Sequence, residues 1–336
     1  MNLDPIQVKA VTAMLTGRLG DLIIATPMLR ALRARYPGAR LRLMVSAPIR
    51  DAARLMPGAD EILAVHPYYR PDRNLRCAAA LIAQPCDLLV DLNPSFSRTS
   101  SALAWLARAR VKAAFAKGRL DRLYDHCAAK PAAGEHMLDR YARLAALLGA
   151  PYEPRLELRL APEHLAAAAA LLPDRTGIRP AGTGYKLRIG IHAGNFKKFD
   201  NRWPEDKFAA LTDRLLDEPD LEVFHLAGPG ERPRVQAIVS RLKRPVPILG
   251  PAPVGVTAAL LQRLDLLVCN ITGTTHLAAA LGVPTFGLYA GYTDAVWRPR
   301  GPRHNGAVAA DWESCRSITV AAAEAGLLAA LAALRK

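Results

Sequence analysis

Short apolar segments with the length of buried strands alternate with helical segments through most of this chain. In the first half, strand-like segments cover residues 8–15, 41–45, 61–65 and 87–92, and helical segments cover 22–36, 50–55, 75–83 and 98–108. Pro27 in the first helical segment indicates either a kink or a restart, with Thr26 as N-cap. Alternation at this spacing predicts βαβ units and a mainly parallel sheet.

The second half repeats this pattern. Strand-like segments cover residues 187–192, 221–226, 264–269 and 285–289, and helical segments cover 163–172, 205–216, 234–242 and 275–281. A chain of 336 residues is long enough for about two domains. We therefore predict two Rossmann-like, doubly wound α/β domains, residues 1–165 and 166–336, facing across a cleft, because open parallel sheets bind ligands at the carboxyl ends of their strands. A final amphipathic helix at 320–335 docks on one domain, and a crossing back to the N-terminal domain is one open arrangement.

The charge of the chain is strongly basic and unevenly distributed. The net charge is +15, with 22 Lys and Arg against 12 Asp and Glu in residues 1–150, and 23 against 18 in residues 151–336. Such an excess suits an anionic membrane surface, an anionic acceptor or nucleic acid, or it is solvated surface. No nucleic-acid motif accompanies it, so we expect no nucleic-acid partner.

The cysteines and the apolar runs indicate the compartment. Five widely spaced cysteines without a C-x-x-C pair indicate neither a disulfide framework nor a zinc site. We find no signal-peptide pattern and no apolar run of membrane-spanning length. The expected location is cytoplasmic.

The turn after the strand-like segment 264–269 is the strongest candidate site. Thr272, Gly273 and Thr274 lie between this strand and a helix, where backbone N–H groups and the helix dipole can hold a phosphate. Alternatively, Thr272 or Thr274 merely caps the helix. His276 contacts a phosphate or caps its own helix.

A second candidate site follows the first strand of the second half. Gly194 permits close backbone approach, Asn195 follows it, and Lys197, Lys198 and Arg202 supply cations. We expect phosphate contact here, and the alternative is a solvated basic loop.

Two further strand ends carry candidate residues. Gly228 and Gly230 border a nucleotide or form a simple turn. Asp21 lies at a helix N-terminus after Arg18 and Gly20, where it acts as a general base or caps the helix. The sequence here is not G-x-G-x-x-G, which disfavours a nicotinamide dehydrogenase. We find no D-x-D pair for a metal ion on a diphosphate, and Cys269 suits packing better than nucleophilic attack.

The order and spacing of these short motifs over nearly the whole chain resemble glycosyltransferase family 9, the lipopolysaccharide heptosyltransferase family. The residues that carry the resemblance are Gly20, Asp21, Ala25, Thr26, Pro27, Leu29, Leu32, Tyr36, Pro37, His192, Ala193, Gly194, Arg202, Trp203, Pro204, Phe208, Leu211, Ala227, Gly228, Pro229, Thr272, Gly273, His276, Leu277, Ala278, Gly282, Val283, Pro284 and Thr285.

The resemblance implies a GT-B fold and inverting transfer of a sugar, typically heptose from ADP-heptose, to a lipopolysaccharide-core acceptor. It implies no required metal or other cofactor, Asp21 as the base, and Thr272, Gly273 and Thr274 on the donor diphosphate. Arg18 and Gly20 then belong to the acceptor-side loop. The partners expected are a nucleotide-sugar donor and an anionic glycolipid, with peripheral contact at the inner face of the inner membrane.

Two positions depart from the family pattern. Asn201 stands where the family usually has Lys, and Ile271 stands where it usually has an Asp that contacts the donor. The alternative function is therefore a nucleotide- or nucleotide-sugar-binding GT-B protein that uses another donor or lacks transferase activity.

Overall fold

The computed structural model describes residues 4–67, 69–173, 186–195 and 201–335. The chain divides into two compact units, Met1–Arg159 and Leu160–Lys336. The sequence analysis predicted the division between residues 165 and 166. In the structure these two residues belong to one helix, Pro162–Leu171, which lies entirely in the second unit.

The first unit is a parallel sheet with helices on it, in the strand order β3-β2-β1-β4-β5-β6. Its strands in the described ranges are β1 Ala10–Leu15, β2 Arg40–Ser46, β3 Glu61–Val65, β4 Cys86–Asp91, β5 Ala109–Phe115 and β6 His126–Ala128. Its helices are α1 Leu19–Ile24, α2 Thr26–Arg35, α3 Arg50–Ala53, α4 Leu75–Ala83, α5 Arg98–Leu106 and α6 Met137–Leu148.

The predicted helix at 22–36 is two helices. Helix α1 ends at Ile24, and α2 begins at Thr26 with Ala25 as its N-cap residue and proline in its first turn. A proline is tolerated there because the N–H groups of a first turn have no partner within the helix. The restart is thus confirmed, but the Thr26 hydroxyl donates to the Ile23 carbonyl, 2.7 Å away, instead of capping α2.

The second unit repeats the architecture, with the order β12-β11-β10-β7-β8-β9. Its strands in the described ranges are β7 Leu187–His192, β8 Leu221–Leu226, β9 Ile248–Leu249, β10 Leu266–Asn270, β11 Thr285–Tyr289 and β12 His304–Val308. Its helices are α7 Pro162–Leu171, α8 Glu205–Leu215, α9 Arg232–Val239, α10 Val254–Leu261, α11 Gly273–Ala280, α12 Gly291–Trp297 and α13 Val320–Arg335.

Both sheets have the same topology, in which the first strand of the unit pairs with its second and fourth. In the first unit β1 lies between β2 and β4, and in the second unit β7 lies between β8 and β10, all parallel. The strand order reverses beside the first strand, and open α/β sheets bind ligands at that point, at the carboxyl ends of the strands. The predicted α/β fold with two Rossmann-like, doubly wound units is confirmed.

The cores explain why the central strands are near-continuous apolar runs. Strands buried on both faces, such as β7 and β10, have no solvent-facing positions to fill with polar residues. Helix α13 packs in the second unit, where Ala323, Leu327 and Leu331 join the core formed around β7 and β10. Among the described residues, no helix combines the length and apolarity that crossing a bilayer requires.

Candidate functional site

In the second unit, polar side chains gather at the carboxyl ends of β7 and β10. His192 ends β7 and Asn270 ends β10, and both side chains are buried. The two strands are neighbours in the sheet. Their ends therefore define the point at which the strand order reverses.

Asn270 joins three segments of chain at this point. Its side-chain oxygen accepts the backbone N–H of Trp203 at 2.9 Å, and its amide nitrogen donates to the carbonyls of Ala193 and Gly194 at 3.1 and 3.0 Å. The Trp203 indole is fully buried and donates to the Ile318 carbonyl at 2.9 Å. This one amide thus fixes the loop after β7, the approach to α8 and the end of β10.

A chain of hydrogen bonds runs beside it through Glu231, His192 and Thr272. His192 Nε2 lies 3.0 Å from Glu231 Oε2, and its Nδ1 lies 3.4 Å from Thr272 Oγ1. Because a carboxylate only accepts, Nε2 of His192 donates to Glu231, and Nδ1 shares a hydrogen bond with the Thr272 hydroxyl. The hydroxyl of Thr272 in turn accepts the N–H of Thr274 at 3.3 Å. The network links β7 and β10 to the loop after β8.

The carboxylate of Glu231 is held in its charged form. Burial acts to raise its pKa, but the hydrogen bond from His192 and the N–H groups of Gly228 and Asn195 outweigh it and lower the pKa. The Gly228 N–H donates at 2.8 Å. Negative charge is therefore fixed beside the turn after β8.

Gly194 has to be glycine for this arrangement. A Cβ atom there would lie 2.4 Å from the His192 ring, closer than real Cβ contacts, and at a tight 3.0 Å from Glu231 Oε1. Asn195 follows with φ of +80°, a left-handed conformation that asparagine tolerates better than most residues. Sequence analysis predicted close backbone approach at Gly194, and the imidazole of His192, at the end of β7, fills that space.

The N-terminus of α11 lies within this network. Thr272 is its N-cap residue, its hydroxyl accepts from the helix backbone, and the Thr275 hydroxyl accepts the N–H of Thr272 at 3.1 Å. Thr272 therefore caps the helix, as one alternative stated. The first turn, which contains Gly273 and Thr274, also places backbone N–H groups and the positive end of the helix dipole at the carboxyl ends of the strands, where open α/β sheets generally bind ligands.

Cys269 lies beneath this turn. Its thiol is fully buried 3.2 Å from the Thr275 hydroxyl, and burial raises its pKa to about 12. A thiol that stays protonated is a poor nucleophile. Packing is the role that this geometry supports.

The remaining predicted donor residues lie in different surroundings. Arg202 is nearly buried with its guanidinium 3.9 Å from the Glu205 carboxylate, and the buried His276 ring lies 6.2 Å from the Trp297 ring. Gly230 is in a turn with φ of +76° before α9. Lys197 and Lys198 lie outside the described residues.

In the first unit, Asp21 is in the first turn of α1. Its Oδ2 accepts the N–H of Arg18 at 2.6 Å, and Gly17 lies so close that a Cβ there would be 2.7 Å from that oxygen. Burial is the main cause that raises the pKa of Tyr141, and the negative charge of Asp21 adds to it. Gly20 is within α1, and Arg18 is its N-cap residue. Asp21 is thus a half-buried carboxylate that caps its helix at the edge of the sheet where the strands have their carboxyl ends.

A buried polar cluster supports the loop that leads to Asp21. Asn93, after β4, accepts the N–H of Thr16 at 2.9 Å and its hydroxyl at 3.0 Å. Asn93 donates from its amide to Asp91 at 2.6 Å, and Asp91 also accepts from Lys117 at 2.5 Å and Tyr124 at 2.7 Å. Burial and the charge of Asp91 raise the pKa of Tyr124, which stays a donor. The end of β4 thereby holds the end of β1.

Sequence analysis missed the supporting residues of both sites. Asn270, Glu231 and Asp91 were given no role, because each has a decisive partner far away in the chain: Trp203, His192 and Lys117 respectively. A polar residue that closes an otherwise buried apolar strand is the signal that could have identified Asn270 and Asp91, because a buried polar group needs partners.

The chain was compared with known protein families and with solved structures. The model of glycosyltransferase family 9 (heptosyltransferase) matches residues 74–323. A crystal structure of a glycosyl transferase family 9 protein from Veillonella parvula is 19% identical, with a TM-score of 0.80 over 97% of each chain.

Two E. coli structures share the same fold. The ADP-heptose lipopolysaccharide heptosyltransferase II is 19% identical, with a TM-score of 0.75 over 97% of this chain and 98% of that one. The heptosyltransferase WaaC with ADP is 20% identical, with a TM-score of 0.70 over 97% and 99%.

The family match spans most of the sequence, from α4 to the start of α13, and includes every described residue of the network around Asn270. The expectation drawn from the motifs is confirmed: this chain belongs to glycosyltransferase family 9, the heptosyltransferases, and its role is that of a sugar transferase.

Proposed function

We propose that this protein transfers heptose from ADP-heptose to an acceptor of the lipopolysaccharide-core type, with inversion and without a metal ion. In this proposal the second unit binds the nucleotide sugar and the first unit binds an anionic glycolipid acceptor at the cytoplasmic face of the inner membrane. Membership of the family supports sugar transfer. Family members of the same fold that have been solved with ADP and with ADP-2-deoxy-2-fluoro heptose support the choice of donor.

The observation that carries the proposal is the N-terminus of α11 at the reversal point of the second sheet. Backbone N–H groups at a helix N-terminus bind phosphate without a counter-cation, because they and the dipole are fixed before the ligand arrives. Thr272, Gly273 and Thr274 would hold the donor diphosphate. Lys197, Lys198, Arg202 and His276 would add positive charge or hydrogen bonds, with Gly194 and Asn195 beside them and Gly228 and Gly230 near the nucleoside.

Asp21 is proposed as the general base. A carboxylate at a helix N-terminus stays ionised at neutral pH and can accept a proton from an acceptor hydroxyl. As that oxygen attacks the anomeric carbon, the bond to the diphosphate breaks on the opposite face of the sugar, which inverts the configuration. The diphosphate leaves with both bonding electrons, and the helix N-terminus stabilises its charge.

A different donor, or no transfer, is the second candidate. Ile271 precedes the α11 turn with an apolar, half-exposed side chain where the family usually has a carboxylate, and Asn201 replaces a cation. A site without that carboxylate loses hydrogen bonds to sugar hydroxyls, which alters the choice of sugar.

The donor is tested by thermal stabilisation with ADP, UDP, GDP and NAD at matched concentrations. We expect the melting temperature to rise with ADP alone, because ADP is the nucleotide of the proposed donor. Any ligand that binds the folded protein stabilises it, by about 2.7 kcal/mol at about 100 times its Kd. A preference for UDP or GDP would change the donor, and no shift with any nucleotide would contradict donor binding.

The base is tested by Asp21→Asn. Asparagine keeps an oxygen for the Arg18 N–H but cannot take a proton, so we expect turnover of ADP-heptose to fall about 10²- to 10⁴-fold with nucleotide binding unchanged. The matched control is Glu135→Gln, since Glu135 Oε2 accepts the N–H of Ala132, also three residues earlier, at 3.0 Å. Unchanged turnover in Asp21→Asn would remove Asp21 from the mechanism.

A further inference from the structure

Two neighbouring helices of the first unit expose large apolar side chains to solvent. Leu75 and Ile82 on α4 are 68% and 46% exposed, and Trp105 on α5 is 70% exposed. Isolated exposed apolar residues are common, but several on one face usually mark an interaction site.

The helical spacing places these side chains in two outward stripes. On α4, Leu75, Ala79 and Ile82 are four and three residues apart and all exposed, so they share one face of the helix. On α5, Ala102 and Trp105 do the same.

The opposite faces of the two helices enter one core. Cys77 and Leu81 of α4 and Leu103 and Ala104 of α5 belong to the same buried cluster, and the two helices pack against each other. The two outward stripes therefore lie side by side on the first unit, and we call this surface the α4–α5 face.

The sequence around the α4–α5 face is rich in cations, and its two acidic residues, Asp87 and Asp91, both lie in β4. Residues 73–86 and 92–120 contain no Asp or Glu and eight Lys or Arg. Of the eight, Lys117 is buried with Asp91 and Arg110 lies 3.9 Å from the Asp87 carboxylate, so the positive excess comes from the other six. Arg108 lies against the α4–α5 face, with its guanidinium 3.5 Å from the Ile82 carbonyl.

We propose that the α4–α5 face docks the protein on an anionic lipid bilayer. Apolar side chains enter the boundary between headgroups and acyl chains, tryptophan favours that depth, and arginines bind lipid phosphates. A second copy of this chain on the same face would oppose like charges, which costs binding energy. The proposal deepens the proposed function, because an acceptor glycolipid is presented in such a bilayer.

The test is co-sedimentation of the protein with two kinds of vesicle, one of phosphatidylcholine alone and one that also contains about 30% phosphatidylglycerol. The buffer has about the physiological ionic strength. We expect binding to the anionic vesicles, and at least about a tenfold loss of affinity in Leu75→Ser/Ile82→Ser/Trp105→Ser. In Arg73→Gln/Arg76→Gln the affinity for anionic vesicles is expected to fall about fivefold for each charge removed, and less at high salt.

Matched controls come from the second unit. Leu165→Ser/Leu171→Ser removes exposed leucines from α7, and Arg241→Gln removes an exposed cation, so both should bind vesicles as the unaltered protein does. Equal Tm values exclude misfolding. Equal vesicle affinity in the triple variant and its control would overturn the proposal, as would a change of oligomeric state in place of a loss of vesicle affinity.

Transfer to a lipid-free acceptor separates the two proposals. The triple variant should keep full turnover of such an acceptor while losing vesicle binding. Vesicle binding without any sugar transfer would refute the proposed function and leave docking intact. Transfer without specific vesicle binding would refute docking alone.

Discussion

Replacing Lys117 by methionine should destabilise the first unit severely. Lys117 and Asp91 have fully buried side chains, 0% exposed each, joined at 2.5 Å. Without the ammonium group, the donors to Asp91 among the described residues are all neutral: the Tyr124 hydroxyl at 2.7 Å, and the amide and N–H of Asn93 at 2.6 and 3.0 Å. Removing one partner of a buried ion pair costs about 3–5 kcal/mol, because the remaining charge has no compensating partner.

The assay is thermal unfolding combined with hydrogen exchange of peptides from β1 and β4. At about 2–4 °C per kcal/mol, we expect Tm to fall by about 10 °C in Lys117→Met, with the loss of protection confined to the first unit. The matched control is Lys243→Met, whose lysine is 62% exposed and lies 3.4 Å from Asp217. Exposed pairs contribute about 0–1 kcal/mol, so its Tm should hardly change.

A double variant isolates the charge. In Asp91→Asn/Lys117→Met no buried charge is left, so we expect much of the lost stability to return, with a coupling of about 2 kcal/mol or more between the two positions. If Lys117→Met is no more destabilising than Lys243→Met, or if the double variant shows no coupling, the argument from a buried charge is refuted.

Two further predictions concern the second unit. Gly194→Ala should weaken nucleotide binding at least about tenfold, because the new Cβ would displace the His192 ring. Gly38→Ala is the control, since a Cβ there meets no atom within 4 Å and should not change the affinity. Equal nucleotide affinities of the two variants, measured by calorimetry, would count against the packing argument. Burial lowers the pKa of His225 to about 4, so its imidazole stays neutral in the folded protein, whereas in the unfolded chain it gains a proton below about pH 6.5. The contribution of His225 to the free energy of unfolding is therefore complete above that pH and is lost as the pH falls toward 4. In urea titrations from pH 7 to 4.5, His225→Leu should flatten this decline, while Thr212→Val, which removes the 3.1 Å hydrogen bond to the imidazole, should leave its slope unchanged.

Sequence reasoning located apolar strands well and missed strands that are very short or carry charged residues. Residues 61–65, 187–192, 221–226 and 285–289 were predicted with the bounds observed for β3, β7, β8 and β11, because each is a short, mainly apolar run bounded by turns. Strand β5 was missed since Arg110 and Lys112 interrupt its apolar character. The edge strands β6 and β9 have three and two residues, too few for a periodic pattern.

The candidate site was predictable only where its chemistry is local. Small hydroxyl residues between a buried strand and a helix identify the α11 turn. The side-chain partners of Asn270 are 67 to 77 residues away. Its position at the end of a buried apolar strand therefore indicates that it needs partners, but not which ones. The hydrogen bond between Glu231 and His192 is likewise a product of sheet order, which brings the ends of β8 and β7 together.

The position of α13 has a consequence for biosynthesis. Each sheet is formed from one continuous stretch of chain, so the first unit can complete its core on the ribosome while later residues are still being added. The second unit cannot, because its central core requires Leu327 and Leu331 from α13. Until residue 331 has left the ribosome, the apolar side chains that α13 covers remain open to solvent, and nascent chains that stop before α13 should be the ones that chaperones and proteases capture.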